Sequence, residues 1–501
     1  MSQINICKNQ FLLDMVNNFK IYLLFSIVIS TLIGCNDDNI FYPKVKTLNG
    51  ETVVSGIRPG GLEKALFLRL KLVTKLVIND TIDSRDFQTM RDEMPNLKVL
   101  DLTNATIAAY NGYEGSAGKR VYRYSANSIP EFAFYNPEKS TANTTLNSIK
   151  LPQNIKTIRD FAFNRCAALS GTLEIPASVR DTIGNSAFSY CENISSITLS
   201  SASYIGESAF QGCVGLKGSL VIPDSVFTIK PWAFAYCENT TSVVISASVS
   251  DIGISAFNGC GNFFHVATLN TNYSSLDGVL FNSDQTFLVQ YPSRKKGSYS
   301  VPNSVNIVGS YSFANCVGLT SVTIPDATFL IDERAFSGCI SLSGDFKIPS
   351  GLTSIGLYVF ENCPKISGFL ITPENTTYTF TNGVLIESQL FIKRCLQSKT
   401  GSYIIPSEII VIDNSAFSNC TNLSSVTIPE SVISIGQRSF YNCTGLTSIW
   451  VTATTPLDLS SSPTAFEGVN LNSCTLHVPA TSRNEYRSSE VWKNFLKIIE
   501  N

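Results

Sequence analysis

The sequence predicts a mainly β solenoid, in which short coils of chain stack on one another around a shared core. Three observations predict it. A Phe recurs, mostly at intervals of 22 to 29 residues; Ala precedes it at nine of twelve positions; and Cys follows three residues later at ten. A fixed period of this size indicates repeat units that bury their apolar faces only against neighbouring units. The recurring residues are Phe134, Phe163, Phe188, Phe210, Phe234, Phe257, Phe313, Phe336, Phe360, Phe417, Phe440 and Phe466.

Each unit also carries a run of alternating apolar residues, clearest at Leu423-Ser-Ser-Val426-Thr-Ile428-Pro429. This alternation predicts a short strand with one buried face, and the proline removes a backbone donor and ends it. We expect these repeats to occupy residues 126–475. Twelve Phe units and two leucine-rich units before them predict fourteen coils.

The two ends of the array differ from its middle, as expected of units that cover an exposed core. Residues 61–125 predict an N-terminal cap with two leucine-rich units. Between them, Ile82 to Met90 has helical spacing, with Asp83 or Ser84 as the N-cap. Residues 476–501 predict a C-terminal cap closed by a helix, because Tyr486, Trp492, Phe495 and Ile498 recur at roughly helical spacing.

Two intervals between successive Phe residues are about twice the usual length, which predicts insertions near 263–302 and 364–406. The two insertions have similar sequences, in which Asp277-Gly278 of the first corresponds to Asn382-Gly383 of the second. These dipeptides form turns, and the segment from Phe281 to Phe287 predicts a hairpin. We expect both insertions to project from the stack.

Residues 1–34 predict a lipoprotein signal peptide. An apolar run from Ile21 to Ile33 follows Lys20 and is too short for a comfortable membrane span. It ends in Leu32-Ile33-Gly34-Cys35, which resembles a bacterial lipobox and implies lipidation of Cys35; the alternative is a free cysteine after a transmembrane helix. Residues 35–60 then predict the lipid anchor and a linker. Because residues 15–20 make a more ordinary start for a leader than the partly acidic residues 1–14, we predict that translation starts at Met15 rather than Met1.

Composition excludes several functions. The net charge is −2 with 15% charged residues, which gives no electrostatic footprint for nucleic acid. The two histidines, His265 and His477, lack partners at ligand spacing, so no metal site, catalytic centre or cofactor is predicted.

The unit Ile-x-x-x-Ala-Phe-x-x-Cys-x-x-Leu-x-x-Val-x-Ile-Pro resembles the BspA-like leucine-rich repeat family of bacterial surface lipoproteins. The resemblance implies a right-handed, curved solenoid displayed on the cell surface. For some members it also implies adhesion to host matrix or plasma proteins or to other bacteria. Acidic residues after Cys35 resemble a surface-export signal, so we expect a location on the bacterial outer membrane, facing outward.

The cysteine column has two interpretations. Its members would lie about 4.8 Å apart in adjacent coils, a separation that a disulfide can bridge. One small apolar residue per coil is also what a buried, reduced column provides. We favour the reduced column, because a large core has little need of cross-links.

Candidate binding residues lie on the predicted surface. Trp450 stands among uncharged outward positions of the strands, where it serves either as an anchor for a ligand or as a residue covered by the C-terminal segment. Basic residues in the insertions either contact acidic ligands or are simply solvated. They are Arg294, Lys295, Lys296, Lys393 and Arg394.

These features favour a non-catalytic surface lipoprotein that adheres to host extracellular matrix or plasma proteins, mucin-like glycans or other cells, anchored to the membrane by lipid only. The alternative is a lipoprotein that captures glycan or peptide for a nutrient-uptake assembly.

Overall fold

The computed structural model describes residues 43–118 and 121–501. The predicted leader and Cys35 lie outside the described residues. The N-terminal part contains two α-helices, α1 (Leu62–Leu66) and α2 (Ser84–Asp92), and a 3₁₀ helix (Phe67–Leu72). Its strands are β1 (Lys44–Leu48), β2 (Glu51–Ser55), β3 (Lys75–Ile78), β4 (Thr81–Ile82), β5 (Val99–Asp101), β6 (Thr106–Ile107), β7 (Tyr110–Gly112), β8 (Tyr122–Tyr124), β9 (Ser128–Ile129), β10 (Tyr135–Asn136), β11 (Thr141–Ala142) and β12 (Ser148–Lys150).

The N-terminal end corrects the predicted linker. Strands β1 and β2 form an antiparallel hairpin across Asn49-Gly50, both of which have positive φ, and β2 then pairs in parallel with β3. The linker prediction is therefore wrong for residues 44–55, because an Asn-Gly turn lets this segment pair with the first strand edge. The predicted helix is confirmed: it spans Ser84–Asp92, with Asp83 as N-cap in a capping box with Asp86.

The regular coils each contain one longer and one two-residue strand. The two-residue strands form a parallel ladder from β9 to β21, and the longer strands pair in parallel on another face. The strands are β13 (Thr157–Ile158), β14 (Ser170–Ile175), β15 (Thr182–Ile183), β16 (Asn193–Leu199), β17 (Tyr204–Ile205), β18 (Gly218–Ile222), β19 (Thr228–Ile229), β20 (Thr240–Ile245), β21 (Asp251–Ile252) and β22 (Phe264–Val266).

The recurring Phe rings form the predicted core. All twelve are at most 4% exposed. Except across the two long intervals, consecutive rings stack almost parallel; the Phe163 and Phe188 centroids are 5.0 Å apart, and those of Phe188 and Phe210 are 5.4 Å apart. The residues two positions before and after most of these rings have positive φ, so the chain reverses tightly around each Phe. We call this side of the stack the turn edge.

The cysteine column is buried beside the rings. The Cys191 thiol donates to the Phe163 carbonyl oxygen across 3.1 Å, and Cys339 and Cys443 repeat this bond to Phe313 and Phe417 across 3.1 and 3.0 Å. The ring carbonyl already accepts from the amide of the cysteine in its own coil, as Phe163 does from Cys166 across 3.1 Å, so the thiol of the next coil is its second donor. All twelve cysteines in the described ranges are free thiols.

The first insertion does not project. It forms a meander in which β23 and β24 are antiparallel, as are β24 and β25, which confirms the predicted hairpin; β25 then pairs in parallel with β27. The strands here are β23 (Tyr273–Leu276), β24 (Val279–Asn282), β25 (Phe287–Gln290), β26 (Gly297–Ser300), β27 (Ile307–Val308), β28 (Leu319–Thr323), β29 (Leu330–Ile331), β30 (Gly344–Ile348), β31 (Ser354–Ile355) and β32 (Ile366–Ile371).

The second insertion repeats this meander, and the last coils follow it. Strand β33 is antiparallel to β34, β34 to β35, and β35 pairs in parallel with β37. These strands are β33 (Tyr378–Thr381), β34 (Val384–Glu387), β35 (Phe391–Cys395), β36 (Gly401–Ile404), β37 (Val411–Ile412), β38 (Leu423–Ile428), β39 (Ser434–Ile435), β40 (Ser448–Val451), β41 (Thr475–Val478) and β42 (Lys497–Glu500).

The insertions divide the core into three sections. Leu280 packs in the first section, whereas its neighbours Val279 and Phe281 pack in the second. Leu385 likewise belongs to the second section and Ile386 to the third. Successive side chains of a strand point to opposite faces, so β24 and β34 act as partitions with an apolar face toward each section. The expectation that the insertions project is wrong because both faces of these strands are apolar.

The C-terminal cap differs from the predicted helix. A helix α3 (Arg483–Ser488) and a 3₁₀ turn (Trp492–Asn494) precede β42, which pairs with β41 and contains Ile498. Tyr486, Trp492, Phe495 and Ile498 are all buried. The single helix is wrong in its second half because the chain instead covers the edge of the last strand.

Candidate functional site

The strongest predicted residue, Trp450, lies in a row on the outward face of the C-terminal sheet. Strands β36, β38, β40, β41 and β42 are adjacent and parallel, and their register aligns one outward side chain from each. Ile449 and Val451, on either side of Trp450, point into the core. We call this set the C-terminal row: Ile404, Thr427, Trp450, His477 and Ile499.

Both interpretations of Trp450 have structural support. The indole stacks on the His477 imidazole, with ring centroids 3.8 Å apart and planes 3° from parallel. The Asn501 side chain lies within hydrogen-bond distance of His477 Nδ1, at 3.0 Å. His477 of β41 therefore covers one side of Trp450, and 39% of the residue stays exposed.

Large apolar side chains extend this row. Ile404 is 72% exposed at one end, and Ile499 is 47% exposed at the other. Exposed apolar residues gathered along one line, with an aromatic ring held rigidly between them, suit contact with another protein.

The basic triplet lies elsewhere, in the loop between β25 and β26. Arg294 and Lys296 are exposed. Lys295 donates to the Asp277 carbonyl oxygen across 2.7 Å and lies over the Tyr299 ring. The predicted candidates therefore do not form one site with Trp450, which is in the C-terminal sheet.

Lys393 and Arg394 correct the prediction that they lie on an exposed tip. The Lys393 ammonium lies 2.6 Å from Asp413 and 3.4 Å from Glu387, and its side chain is 10% exposed. Arg394 is 6% exposed and donates to the Ser415 carbonyl oxygen across 2.7 Å. Both residues belong to β35, which pairs with strands on each side, so they are structural and unavailable to a large ligand.

Sequence reasoning missed a cluster on the turn edge. Two residues before the stacked Phe, six of the twelve coils carry Ser or Phe and the last carries Thr, whereas the other five carry Trp232, Tyr311, Arg334, Tyr358 and Arg438. Reading this column across the coils would have found the cluster.

The described residues contain no group of three or more His, Cys, Asp or Glu side chains able to hold a metal ion. Burial raises the pKa of the Cys213 and Cys363 thiols to about 12, so neither is a ready nucleophile. In residues 43–118 and 121–501, no helix has the length and apolar character needed to cross a membrane.

Comparisons with known proteins place the chain in a family. Its sequence matches the profile described as a BspA-type leucine-rich repeat region with six copies, over residues 120–238, 204–294, 288–390 and 385–486. It is similar to a solved leucine-rich repeat protein from Eubacterium ventriosum, with 25% identity, a TM-score of 0.45, and coverage of 63% of this chain and 83% of that chain.

Two further solved structures are similar. A leucine-rich cell surface protein from Faecalibacterium prausnitzii has 19% identity and a TM-score of 0.36, over 85% of this chain and 96% of that chain. A leucine-rich repeat protein from Bacteroides ovatus has 21% identity and a TM-score of 0.39, over 83% and 94%. No curated protein matches the chain. Because the matched segments run without a gap from residue 120 to residue 486, the chain belongs to the BspA-type leucine-rich repeat family.

Proposed function

We propose that the protein is a non-catalytic surface lipoprotein that binds host extracellular matrix or plasma proteins, mucin-like glycans or other cells. The lipobox-like sequence ending at Cys35 supports a lipid anchor in the bacterial outer membrane. Membership of the BspA-type repeat family supports a repeat scaffold that works through its surface.

The observation that carries this proposal is the C-terminal row. Trp450 is held flat against His477 while 39% of it remains exposed, and Ile404 and Ile499 flank it. A rigid aromatic residue loses little conformational freedom on binding, so it makes an efficient anchor for a protein partner.

The experiment measures binding of the full chain to immobilised matrix and plasma proteins. Trp450→Ala should weaken binding about tenfold, which corresponds to about 1.4 kcal/mol. Val221→Ala is the matched control, since Val221 is an outward residue of β18 and is 56% exposed. Equal binding by the two variants, or no binding by the unaltered chain, would reject the proposal.

The anchor has its own test. Cells that express the full chain should incorporate radiolabelled palmitate into it, and Cys35→Ser should abolish the label. A protease added to intact cells should digest the unaltered protein if it faces outward. Labelling that persists in Cys35→Ser would contradict the anchor.

The second candidate function is glycan capture for a partner transporter. The observation that favours it is the set of aromatic and amide side chains on the turn edge, among them Tyr236, Tyr311 and Asn258.

A further inference from the structure

A groove on the turn edge gathers side chains that are far apart in sequence. It has a cavity volume of about 440 Å³, within the roughly 300 to 1,000 Å³ usual for small-molecule sites. Its lining includes Tyr236, Asn258, Tyr311, Arg334, Glu361, Asn362, Asn419, Arg438, Tyr441 and Asn442.

The two insertions create this groove because each contains one short coil. In a regular coil the ring residue lies five positions after the paired strand residue, as Phe313 lies after Val308. In the two short coils this separation is three positions, from Leu288 to Tyr291 and from Ile392 to Cys395. In the short coils the residue two positions before the ring does not have positive φ, so these coils make no such turn. The turns of coils on either side therefore come close together. Across the coil of Cys395, Asn419 donates to the Asn362 side chain through 2.9 Å. Across the coils of Phe257 and Tyr291, the centroids of the Trp232 and Tyr311 rings lie 5.0 Å apart.

A buried carboxylate holds the middle of the groove. The Glu361 side chain is 7% exposed and lies 2.8 Å from Arg334 and 3.7 Å from Arg438. Each guanidinium also covers an aromatic ring, Arg334 over Tyr358 at 4.1 Å and Arg438 over Tyr441 at 3.9 Å. These contacts fix the arginines and rings in place, so the surface is organised before any ligand arrives.

The charges of the groove balance closely. Glu333 lies 3.6 Å from Arg334, and Glu467 lies 4.0 Å from Arg438, so each arginine has two carboxylate neighbours. An anion would find no unpaired positive charge here. Aromatic faces, amides and paired charges instead suit a neutral ligand rich in hydroxyl groups.

One lining residue refines the ligand class. Asn258 is 1% exposed, and neither the oxygen nor the nitrogen of its amide has a hydrogen-bond partner in the described chain. A buried amide without partners costs free energy, and a ligand that supplies one acceptor and one donor would recover it. A sugar acetamido group has this pair of atoms.

We propose that the turn-edge groove binds neutral oligosaccharides that carry acetamido groups, with Tyr236 and Tyr311 packing against the sugar and Asn258 pairing with the acetamido group. This site rests on the glycan part of the proposed function, and it is separate from the C-terminal row. The short coils of the two insertions shape this groove.

Calorimetry of the full chain with a tetramer of N-acetylglucosamine tests the inference, with the tetramer of glucose as the matched probe. The acetylated tetramer should bind, with affinity that is unchanged by salt because no net charge is involved. Tyr236→Ala should weaken binding about tenfold. Tyr190→Ala should not, although Tyr190 occupies the same position in its coil, also with positive φ and facing an arginine.

Asn258→Leu separates the amide from the fold. It removes an amide that makes no hydrogen bond, so the chain should fold and lose its preference for the acetylated tetramer. Failure of the unaltered chain to bind this probe, equal binding of both tetramers, or equal loss in Tyr190→Ala and Tyr236→Ala would overturn the inference. Trp450→Ala should leave sugar binding intact, so failure at the C-terminal row and failure at the groove can be told apart.

Discussion

The thiol of Cys191 donates a hydrogen bond to the carbonyl oxygen of Phe163, one coil earlier, across 3.1 Å. The bond suits a cysteine three residues after the ring in ten coils, because the thiol is small enough for the core and adds a second donor to a carbonyl that also accepts from the Cys166 amide. The column therefore works as reduced thiols, without cross-links.

Stability should fall as the pH rises through the alkaline range. Burial raises the pKa of Cys213 and Cys363 to about 12, whereas an unfolded thiol titrates near about 8.5. Between these two pH values the folded chain keeps protons that the unfolded chain loses. The contribution of the thiols to the free energy of unfolding is therefore fully present below about pH 8.5 and declines above it. The urea midpoint, measured from neutral pH to about pH 10, should fall; the slope should be smaller in Cys213→Ala/Cys363→Ala. A midpoint independent of pH would contradict this.

Removing one ring from the stack should destabilise the chain strongly. Phe188 is fully buried between Phe163 and Phe210, so Phe188→Ala should cost about 3 to 5 kcal/mol. Phe227 is 52% exposed, and Phe227→Ala should change the free energy of unfolding by less than about 0.5 kcal/mol. Chemical denaturation followed by circular dichroism compares them, and equal midpoints would refute the stacked core.

Lys393 should matter for stability and not for binding. Lys393→Ala leaves Asp413 and Glu387 without their cation, and their side chains are 17% and 21% exposed. We expect a loss of about 2 to 3 kcal/mol, below the roughly 3 to 5 kcal/mol of a fully buried pair. Arg294→Ala, at an exposed position of the other insertion, should be nearly neutral in the same denaturation assay. A neutral Lys393→Ala would show that the ion pairs contribute nothing.

Much of the fold could be predicted because the repeat motif lies within a single short stretch of sequence in each coil. The period of the Phe residues predicted the core rings, and Asp83 was one of two residues predicted as a helix N-cap, which the structure confirms. The predicted count of fourteen coils was too low because Tyr291 and Cys395 occupy the ring position in coils that do not match the repeat motif. Each nevertheless lies 22 residues before the next Phe. The 22-residue spacing therefore identifies these two ring positions, although neither residue is Phe.

The candidate sites were harder to predict because they depend on which coils meet. Trp450 was found from its outward position, but its stacking on His477 depends on the parallel register of β40 and β41. Glu361 and Arg438 are 77 residues apart and meet only because the coil of Cys395 is short. No local pattern contains that information.

The most direct test of the central claim, that both insertions are built into the stack, is amide hydrogen exchange of the folded chain. The Tyr291 amide donates to the Ser312 carbonyl oxygen across 2.7 Å, and the Cys395 amide donates to that of Ala416 across 2.6 Å, as the Phe188 amide does to that of Ala209 across 2.8 Å. Protection of Tyr291 and Cys395 should lie within about tenfold of that at Phe188, because each amide is buried and bonded to the next coil. Exchange at these two amides as fast as in exposed turns would show that the insertions project from the solenoid and would contradict the account.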